Sequence, residues 1–82
     1  MRGTFNCMEA KVNMNNPFYR LGRRIHWLRQ KRGVTQEQLS TGVKVSTTHL
    51  GLIETGKRKP SLDLVFRIAK FLDYKTEELF KA

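Results

Sequence analysis

The segment from Thr35 to Gly56, TQEQLSTGVKVSTTHLGLIETG, constrains the fold of this chain more than any other. Its pattern predicts two short helices, because Thr35 and Ser46 are residue types that cap helix N-termini. The tight turn between the helices falls at Gly42–Val45, and a cationic loop, Lys57–Lys59, follows the second helix. A short helix that begins with small polar residues beside a cluster of cations can read DNA bases while the cations bind phosphates.

Three further helices are predicted around this pair. Asn16 and Pro17 begin the first of them, since Asn caps a helix and Pro fits its first position, and Gly33 ends it. Ser61 and Thr76 are expected to cap the fourth and fifth helices. The residues expected to face the core from the first three helices are Leu21, Ile25, Leu28, Leu39, Leu50 and Ile53. No segment alternates like a strand, so the predicted fold class is all-α, with five helices around one core.

Length and composition bound the class of protein. At 82 residues the chain makes one small domain. Residues 1–15 show no periodicity and are expected to form a flexible arm, whereas residues 16–82 form the domain. The single cysteine, Cys7, excludes an internal disulfide. The chain has neither an apolar run long enough for a membrane span nor the apolar core of a signal peptide, so the expected location is the cytoplasm.

The net charge of +9 is distributed unevenly. Residues 1–60 contain 12 lysines and arginines against 3 acids, whereas residues 61–82 contain 4 of each, so all of the excess precedes residue 61. A one-sided basic surface indicates a polyanionic partner, such as nucleic acid or an anionic membrane. Solubility is the plainer explanation, but a balanced charge would serve solubility equally well.

Residues 18–80 resemble the helix-turn-helix family of the lambda-type phage repressors and Cro proteins. The resemblance rests on LGRRIHWLRQKRGVTQEQLS, VSTTHLGLIETGKRKPS and FRIAKFLDYKTEELF, and the combination of TQEQL, IETGKRKPS and EELF makes it specific. It implies a lambda repressor-like fold and a sequence-specific transcriptional regulator that binds double-stranded DNA at a palindromic operator as a homodimer. It also implies a bacterial or phage-encoded protein that occludes a promoter or positions RNA polymerase, and the choice between these two effects stays open.

The resemblance assigns roles to individual residues. The base-reading positions that it implies are Thr47, Thr48 and Leu52. The phosphate-binding positions that it implies are Gln36, Ser46, His49, Lys57, Arg58 and Lys59. A threonine offers a hydroxyl and a methyl to a base edge, whereas a leucine could make only apolar contact. Each assignment has a structural alternative: a filled helical turn for the threonines, a core position for Leu52, and a solvated loop for the cations.

Arg29 and Glu54 are implied to form a structural ion pair that holds the second helix of the motif in place. Three residues depart from the family pattern. Lys44 stands in the turn where glycine is usual, so either it adopts a positive φ at a cost of roughly 1 kcal/mol or Gly42 adapts the turn. Ser40 replaces the usual alanine that faces the partner helix. Gly51 lies inside the second helix, where it costs roughly 0.5–1 kcal/mol relative to alanine.

A dimer needs apolar surface beyond the core. The candidates for this contact are Leu64, Phe71, Leu79 and Phe80. Leu64 and Phe71 share a face of the fourth helix at positions that the family often leaves polar. The alternative for these two residues is a place in the core of a thinly packed domain.

Other functional classes have less support. His26 and His49 fall on different predicted helices with no cysteine or acid pair beside them, and no metal-binding spacing or nucleophile motif is present. The sequence therefore predicts no enzyme, metal or cofactor. A module that acts mainly through protein–protein interaction, such as the DNA-binding half of an antitoxin, is the second hypothesis. A basic amphipathic first helix on a membrane is the third, but its apolar face is needed inside the domain.

Overall fold

The structure is a computed structural model that describes residues 16–81; the predicted arm, residues 1–15, and Ala82 lie outside the described residues. The described chain is helical and contains no strand. Its helices, in chain order, are α1 (Pro17–Lys31), α2 (Gln36–Val43), α3 (Thr47–Glu54), α4 (Leu62–Leu72) and α5 (Thr76–Leu79). The predicted fold class, an all-α domain of five helices with the helix-turn-helix at α2 and α3, is confirmed over this part of the chain.

Local capping chemistry sets where most of these helices begin. The side chain of Asn16 accepts a hydrogen bond from the backbone N–H of Phe18 at 2.8 Å, and Pro17 occupies the first turn. Thr35 and Gln38 form a reciprocal capping box at the start of α2. Ser61 caps α4 by accepting from the backbone N–H of Leu64. The cap predicted at Thr76 is wrong: Lys75 takes that position without a side-chain bond, and Thr76 is the first helical residue.

One apolar core joins all five helices. α1 and α2 both pack against α3, α4 packs against α2, and α5 packs against α4 and α1. The buried apolar residues are Leu21, Ile25, Leu28, Leu39, Val43, Leu50, Ile53, Leu64, Val65, Ile68, Ala69, Leu72 and Leu79. The expected core positions of α1, α2 and α3 are therefore confirmed. Leu21, Ile25 and Leu28, the apolar face of α1 on which the membrane hypothesis depends, are buried in this core. None of the helices in residues 16–81 has the length and apolar character that spanning a bilayer requires.

Two of the four predicted dimer contacts belong to this core. Leu64 is 2% exposed and Leu79 is 0% exposed, so neither side chain can offer surface to a second copy. Both predictions are corrected: Leu64 lies on the part of the apolar arc of α4 that the core takes, and Leu79 is covered because α5 packs against α4 and α1. Phe71 and Phe80 are exposed, as are Leu62 and Phe66.

The turn between α2 and α3 resolves the question that the missing glycine raised. Lys44 adopts a left-handed conformation, with φ 64° and ψ 45°, and ends α2. The backbone N–H of Val45 then donates to the carbonyl oxygen of Ser40 at 2.9 Å. Arg67 donates to the carbonyl oxygen of Val43 at 2.7 Å. The turn is therefore retained with lysine, and the surrounding bonds offset a conformational cost of roughly 1 kcal/mol.

Glycine at residue 22 allows α1 to approach α3 very closely. A Cβ added to Gly22 would collide with the backbone carbonyl oxygens of Ile53 and Glu54, which belong to the last turn of α3. This contact sets the separation of the two helices, because backbone atoms cannot move aside as a flexible side chain can. Pro17, at the start of α1, and Lys81, after α5, line one small cleft of about 140 Å³.

We predict opposite effects for alanine at Gly22 and Gly51, two of the three glycines that lie in helices. A Cβ at Gly51 meets only the Nε2 atom of Gln36, at 3.9 Å, so Gly51→Ala should raise the free energy of unfolding by about 0.5–1 kcal/mol. Gly22→Ala should lower it by about 1–3 kcal/mol, because α1 and α3 must separate. Urea denaturation followed by circular dichroism measures both. A Gly51→Ala variant that is less stable than the wild type would contradict this account of α3.

Candidate nucleic-acid interface

The first turn of α3 is uncovered in the structure. Ser46, Thr47 and Thr48 are exposed, whereas Leu50 and Ile53, on the opposite face, are fully buried. An eight-residue helix is marginal alone, so its position depends on this buried face. The residues that the sequence assigns to base reading thus lie on the free face of a short helix that the core holds from behind.

The other assigned residues of α3 are less exposed. His49 and Leu52 are both half-buried.

Ser46 caps the helix, since its Oγ accepts a hydrogen bond from the backbone N–H of His49 at 3.0 Å. This cap uses a lone pair of the Ser46 hydroxyl and leaves its hydrogen free to donate to an acceptor such as a phosphate oxygen.

A buried ion pair holds the other end of α3. Nε of Arg29 lies 2.7 Å from Oε2 of Glu54, and Nη2 of Arg29 lies 3.2 Å from Oε1. Nη1 of the same guanidinium donates to the carbonyl oxygen of Val34 at 2.8 Å. The arginine is 7% exposed and the glutamate 1% exposed. The pair implied by the family resemblance is therefore present, and it ties the last residue of α3 to α1 and to the segment before α2.

Two further side chains complete the shell of Glu54. Nε2 of Gln36 lies 3.1 Å from Oε1, and Nδ1 of His26 lies 3.0 Å from the same atom. A carboxylate only accepts, so the amide nitrogen of Gln36 faces it, and the histidine contact is a hydrogen bond when Nδ1 carries the proton. That His26 lies beside one buried carboxylate, Glu54, was not foreseen from the sequence. Helical spacing places His26 one turn before Arg29, which is the signal that could have indicated a shared partner.

The protonation of Glu54 follows from this shell. Burial by itself would raise the pKa of the carboxyl, because it disfavours the charged form. Hydrogen bonds from Arg29, His26 and Gln36, together with the charge of Arg29, outweigh burial and hold the pKa below its ordinary value. The carboxylate is therefore ionised at neutral pH and acts as a fixed anion at the junction of α1, α2 and α3.

The cationic loop begins directly at the end of α3. The backbone N–H groups of Lys57 and Arg58 both donate to the carbonyl oxygen of Leu52, at 2.9 Å and 3.2 Å. All three cations of the loop are exposed, and Nζ of Lys59 lies 5.6 Å from the ring centroid of Phe18, at the start of α1. The loop therefore folds back onto the helix that carries the reading positions, with its charges available to solvent.

Some of the arginines before Pro60 bind elsewhere in the protein. Arg24 donates to the carbonyl oxygen of Glu78 at 2.9 Å, and Arg32 donates to the carbonyl oxygen of Leu72 at 2.8 Å. Arg20 and Arg23 are exposed, and Nη1 of Arg23 lies 3.5 Å from the carbonyl oxygen of Glu54. Arg23 thus adds positive charge next to α3, whereas Arg24 and Arg32 connect α1 to the last two helices.

The residues that could bind an ion or a cofactor are sparse. Within residues 16–81 no group of three His, Cys, Asp or Glu side chains is arranged to hold a metal ion. The arrangement of α3 and its loop can instead donate hydrogen bonds from hydroxyls and attract phosphates with cations.

We predict that Glu54 makes stability depend on pH in acid. Its folded pKa lies below that of the unfolded chain, about 4.3, so its contribution is complete above that value and is lost as the pH falls through the folded pKa. Glu54→Gln should flatten the acid limb of the stability curve, that is, the fall in the free energy of unfolding as the pH decreases. It should also lower the free energy of unfolding at pH 7 by about 3–5 kcal/mol, because Arg29 loses its counter-charge. Urea titrations from pH 2.5 to 7 measure both effects.

Glu37→Gln, at an exposed glutamate of α2, is the matched control and should retain the acid limb of the wild type. An unchanged limb in Glu54→Gln, or a flattened limb in Glu37→Gln, would show that Glu54 is not the group responsible.

Comparisons with known proteins agree with this geometry. A helix-turn-helix family model matches residues 25–79. An uncharacterized HTH-type transcriptional regulator of Methanocaldococcus jannaschii is 40% identical over 57 residues, which cover 70% of this chain and 86% of that protein. A second such regulator, from Archaeoglobus fulgidus, is also 40% identical over 57 residues, covering 70% of this chain and 81% of the relative.

Two solved structures are similar in fold. The restriction–modification controller protein C.AhdI of Aeromonas hydrophila has a TM-score of 0.74 and 32% identity, covering 77% of this chain and 96% of that one. The clp gene regulator ClgR of Corynebacterium glutamicum has a TM-score of 0.73 at 24% identity, covering 74% of this chain and 65% of that one, which shows the fold alone. The matched residues include α2, α3 and the cationic loop. The chain is therefore a member of the helix-turn-helix family of DNA-binding transcriptional regulators.

Proposed function

We propose that this protein regulates transcription by binding a palindromic operator as a homodimer, with α3 in the major groove of each half-site. The observation that carries the proposal is the exposed first turn of a short helix whose far end is fixed by the Glu54 shell and followed by three exposed cations. The two copies of α3 in such a dimer would contact half-sites one helical turn of DNA apart, about 34 Å. The similarity to a restriction–modification controller protein supports a regulatory role.

Base reading is assigned to the start of α3. Thr47 and Thr48 are exposed and lie at the first two helical positions, the part of a recognition helix that meets base edges. Leu52 is half-buried, so it contributes apolar contact with a thymine methyl rather than a hydrogen bond. Specificity in this assignment comes from two hydroxyls and a few methyl groups.

Phosphate binding is assigned to groups on both sides of the first turn of α3. Lys57, Arg58 and Lys59 supply three exposed cations after α3. Gln36 presents a backbone N–H at the first turn of α2, where no helical carbonyl is available to accept it. Its side chain is bonded to Glu54, so the phosphate contact proposed for this residue comes from the backbone. The Ser46 hydroxyl and the half-buried His49 ring are the remaining donors.

The dimer contact is assigned to the exposed apolar face at the start of α4. Leu62 is 62% exposed and Phe66 is 49% exposed, and they lie one helical turn apart on the same face. This face follows the cationic loop directly, so a contact here would bring the two loops of a dimer close together. Phe71 and Phe80, which the sequence indicates, are exposed on other parts of the surface and are alternatives that experiment can separate.

We predict different binding losses for a reader and an anchor. Thr48→Ala should relax preference at one base pair by about 1–3 kcal/mol per lost contact while leaving other positions unchanged. Lys59→Ala should weaken binding to every duplex and reduce the slope of log K against log salt by about one. Fluorescence anisotropy with selected and scrambled duplexes, at several salt concentrations, measures both.

Lys75→Ala removes the same charge from an exposed position just before α5, away from the proposed dimer contact, and should leave affinity and salt slope near those of the wild type. Identical behaviour of Thr48→Ala and Lys59→Ala would overturn the division into readers and anchors. Equal binding of the wild type to any polyanion would instead favour a module that acts through other contacts.

We predict that Phe66→Glu dissociates the dimer. A carboxylate in the centre of the proposed contact should weaken self-association by about 30-fold or more, the factor that corresponds to about 2 kcal/mol. Sedimentation equilibrium measures the association constant directly. Phe71→Glu and Phe80→Glu test the two alternative surfaces. A Phe66→Glu protein that remains dimeric, beside a monomeric Phe71→Glu or Phe80→Glu protein, would relocate the interface.

A further inference from the structure

The hydroxyl of Thr47 is already engaged within the protein. Its Oγ1 lies 3.0 Å from Oγ of Ser40, which belongs to α2 and is 2% exposed. Thr47 itself is exposed at the start of α3. One side chain therefore faces the solvent from a recognition helix while its polar atom is bonded to a buried residue behind it.

The number of hydrogens decides the direction of that bond. Ser40 has a single hydroxyl hydrogen, and its Oγ also lies 3.1 Å from the carbonyl oxygen of Glu37, which can only accept. Both contacts are hydrogen bonds only when Ser40 donates to Glu37 and Thr47 donates to Ser40. The reverse arrangement, in which Ser40 donates to Thr47, gives up the bond to Glu37. In that arrangement the buried Oγ of Ser40 also accepts no hydrogen bond, because water cannot readily reach it.

We propose that Ser40 is a positioning residue that makes Thr47 a hydrogen-bond acceptor toward DNA. With its hydrogen committed to Ser40, Oγ1 of Thr47 presents lone pairs outward. In the major groove the amino groups of adenine N6 and cytosine N4 are donors, whereas guanine N7 and O6 and thymine O4 are acceptors. Thr47 therefore selects an adenine or cytosine amino group at the position that it faces. This inference rests on the proposed function, since it needs Thr47 at a base edge.

A threonine that lacks a partner such as Ser40 would not be restricted to accepting hydrogen bonds. A hydroxyl without a fixed partner rotates to donate or accept as the base requires. Alanine, the usual residue at this position in the family that the sequence resembles, would leave the Thr47 hydroxyl free. Serine adds one oxygen at the α2–α3 contact. Because Thr47 donates to that oxygen, its hydroxyl can accept a hydrogen bond from a base but cannot donate one.

The test begins with selection of bound sequences from a random duplex pool by the full-length protein. The position that Thr47 faces is the one where Thr47→Ala loses preference, and affinity is then measured for all four base pairs there. Every base pair carries one such amino group in the major groove, so the wild type should prefer the pairs that place it on the strand that Thr47 faces, and a base analogue without the amino group should lose that preference. Ser40→Ala should reduce this preference by about fivefold, the effect of one hydrogen bond, and leave preference at other positions unchanged.

Conservative variants separate the hydroxyl from the shape of the side chain. Thr47→Ser should retain the preference, whereas Thr47→Val, which keeps the branched shape without the hydroxyl, should lose it. Thr41→Ala, at the exposed residue next to Ser40, is the matched control and should leave the preference as in the wild type. Full affinity for the analogue without the amino group, or an unchanged preference in Ser40→Ala, overturns the inference while leaving the proposed function in place.

A measurement on the free protein tests the direction of the bond without DNA. Nuclear magnetic resonance at low temperature should show a slowly exchanging Thr47 hydroxyl proton with an Overhauser contact to Ser40, and Ser40→Ala should abolish it. A rapidly exchanging Thr47 hydroxyl in the wild type would overturn the inference. If the pool yields no preferred sequence, the proposed function fails, and this spectrum still decides the direction of the bond.

Discussion

The carboxylate of Glu54 is the charge around which the domain is arranged. An ion this deeply buried is costly unless other groups replace the water that it has lost. Arg29 and His26 come to it from α1, and Gln36 comes from α2. Three helices must therefore meet in one geometry for the anion to be satisfied. The value of the pair lies in this requirement rather than in net stabilisation, because apolar residues of similar size could fill the same space at no loss of stability.

The positive charge of the chain is divided between structure and surface. Arg24 and Arg32 donate to backbone carbonyl oxygens near the ends of α5 and α4, and aromatic rings cover their flanks. These two cations connect the first helix to the last part of the domain. The loop Lys57–Lys59 keeps its cations exposed. A count of charges along the sequence therefore overstates the charge available to a polyanion, because it cannot separate arginines that bind backbone from those that face solvent.

Features set by local chemistry could be predicted from the sequence. Helix starts at Asn16, Thr35 and Ser46 follow from side chains that bond within three residues, and core positions on α1 follow from helical spacing. Contacts between helices were harder to predict from the sequence, because they depend on how the helices cross. The burial of Leu64 and Leu79 and the contact of His26 with Glu54 belong to this class.

The residues of the candidate nucleic-acid interface likewise fall into those predicted from local sequence and those that depend on how the helices pack. The exposure of Thr48 follows from its place in the first turn of α3, whereas the bond from Thr47 to Ser40 depends on the separation of α2 and α3. The family resemblance supplied the Arg29–Glu54 pair, since 24 residues separate the two positions in the sequence and no local pattern joins them. Only the folded arrangement shows that this pair is one half of a four-residue shell.

The cleft shared by Pro17 and Lys81 has a consequence for engineering the domain. Two edges of a domain that meet on its surface can be joined by a short linker, and new ends can be opened in an exposed loop without disturbing the core. The loop after α3 is the unsuitable place for such an opening, since its backbone is bonded to Leu52. The turn between α4 and α5 also carries backbone bonds, among them one from Arg32 to the carbonyl oxygen of Asp73, but it lies outside the segment that holds α3, so a circular permutant opened there would keep α1, α2 and α3 joined in one piece.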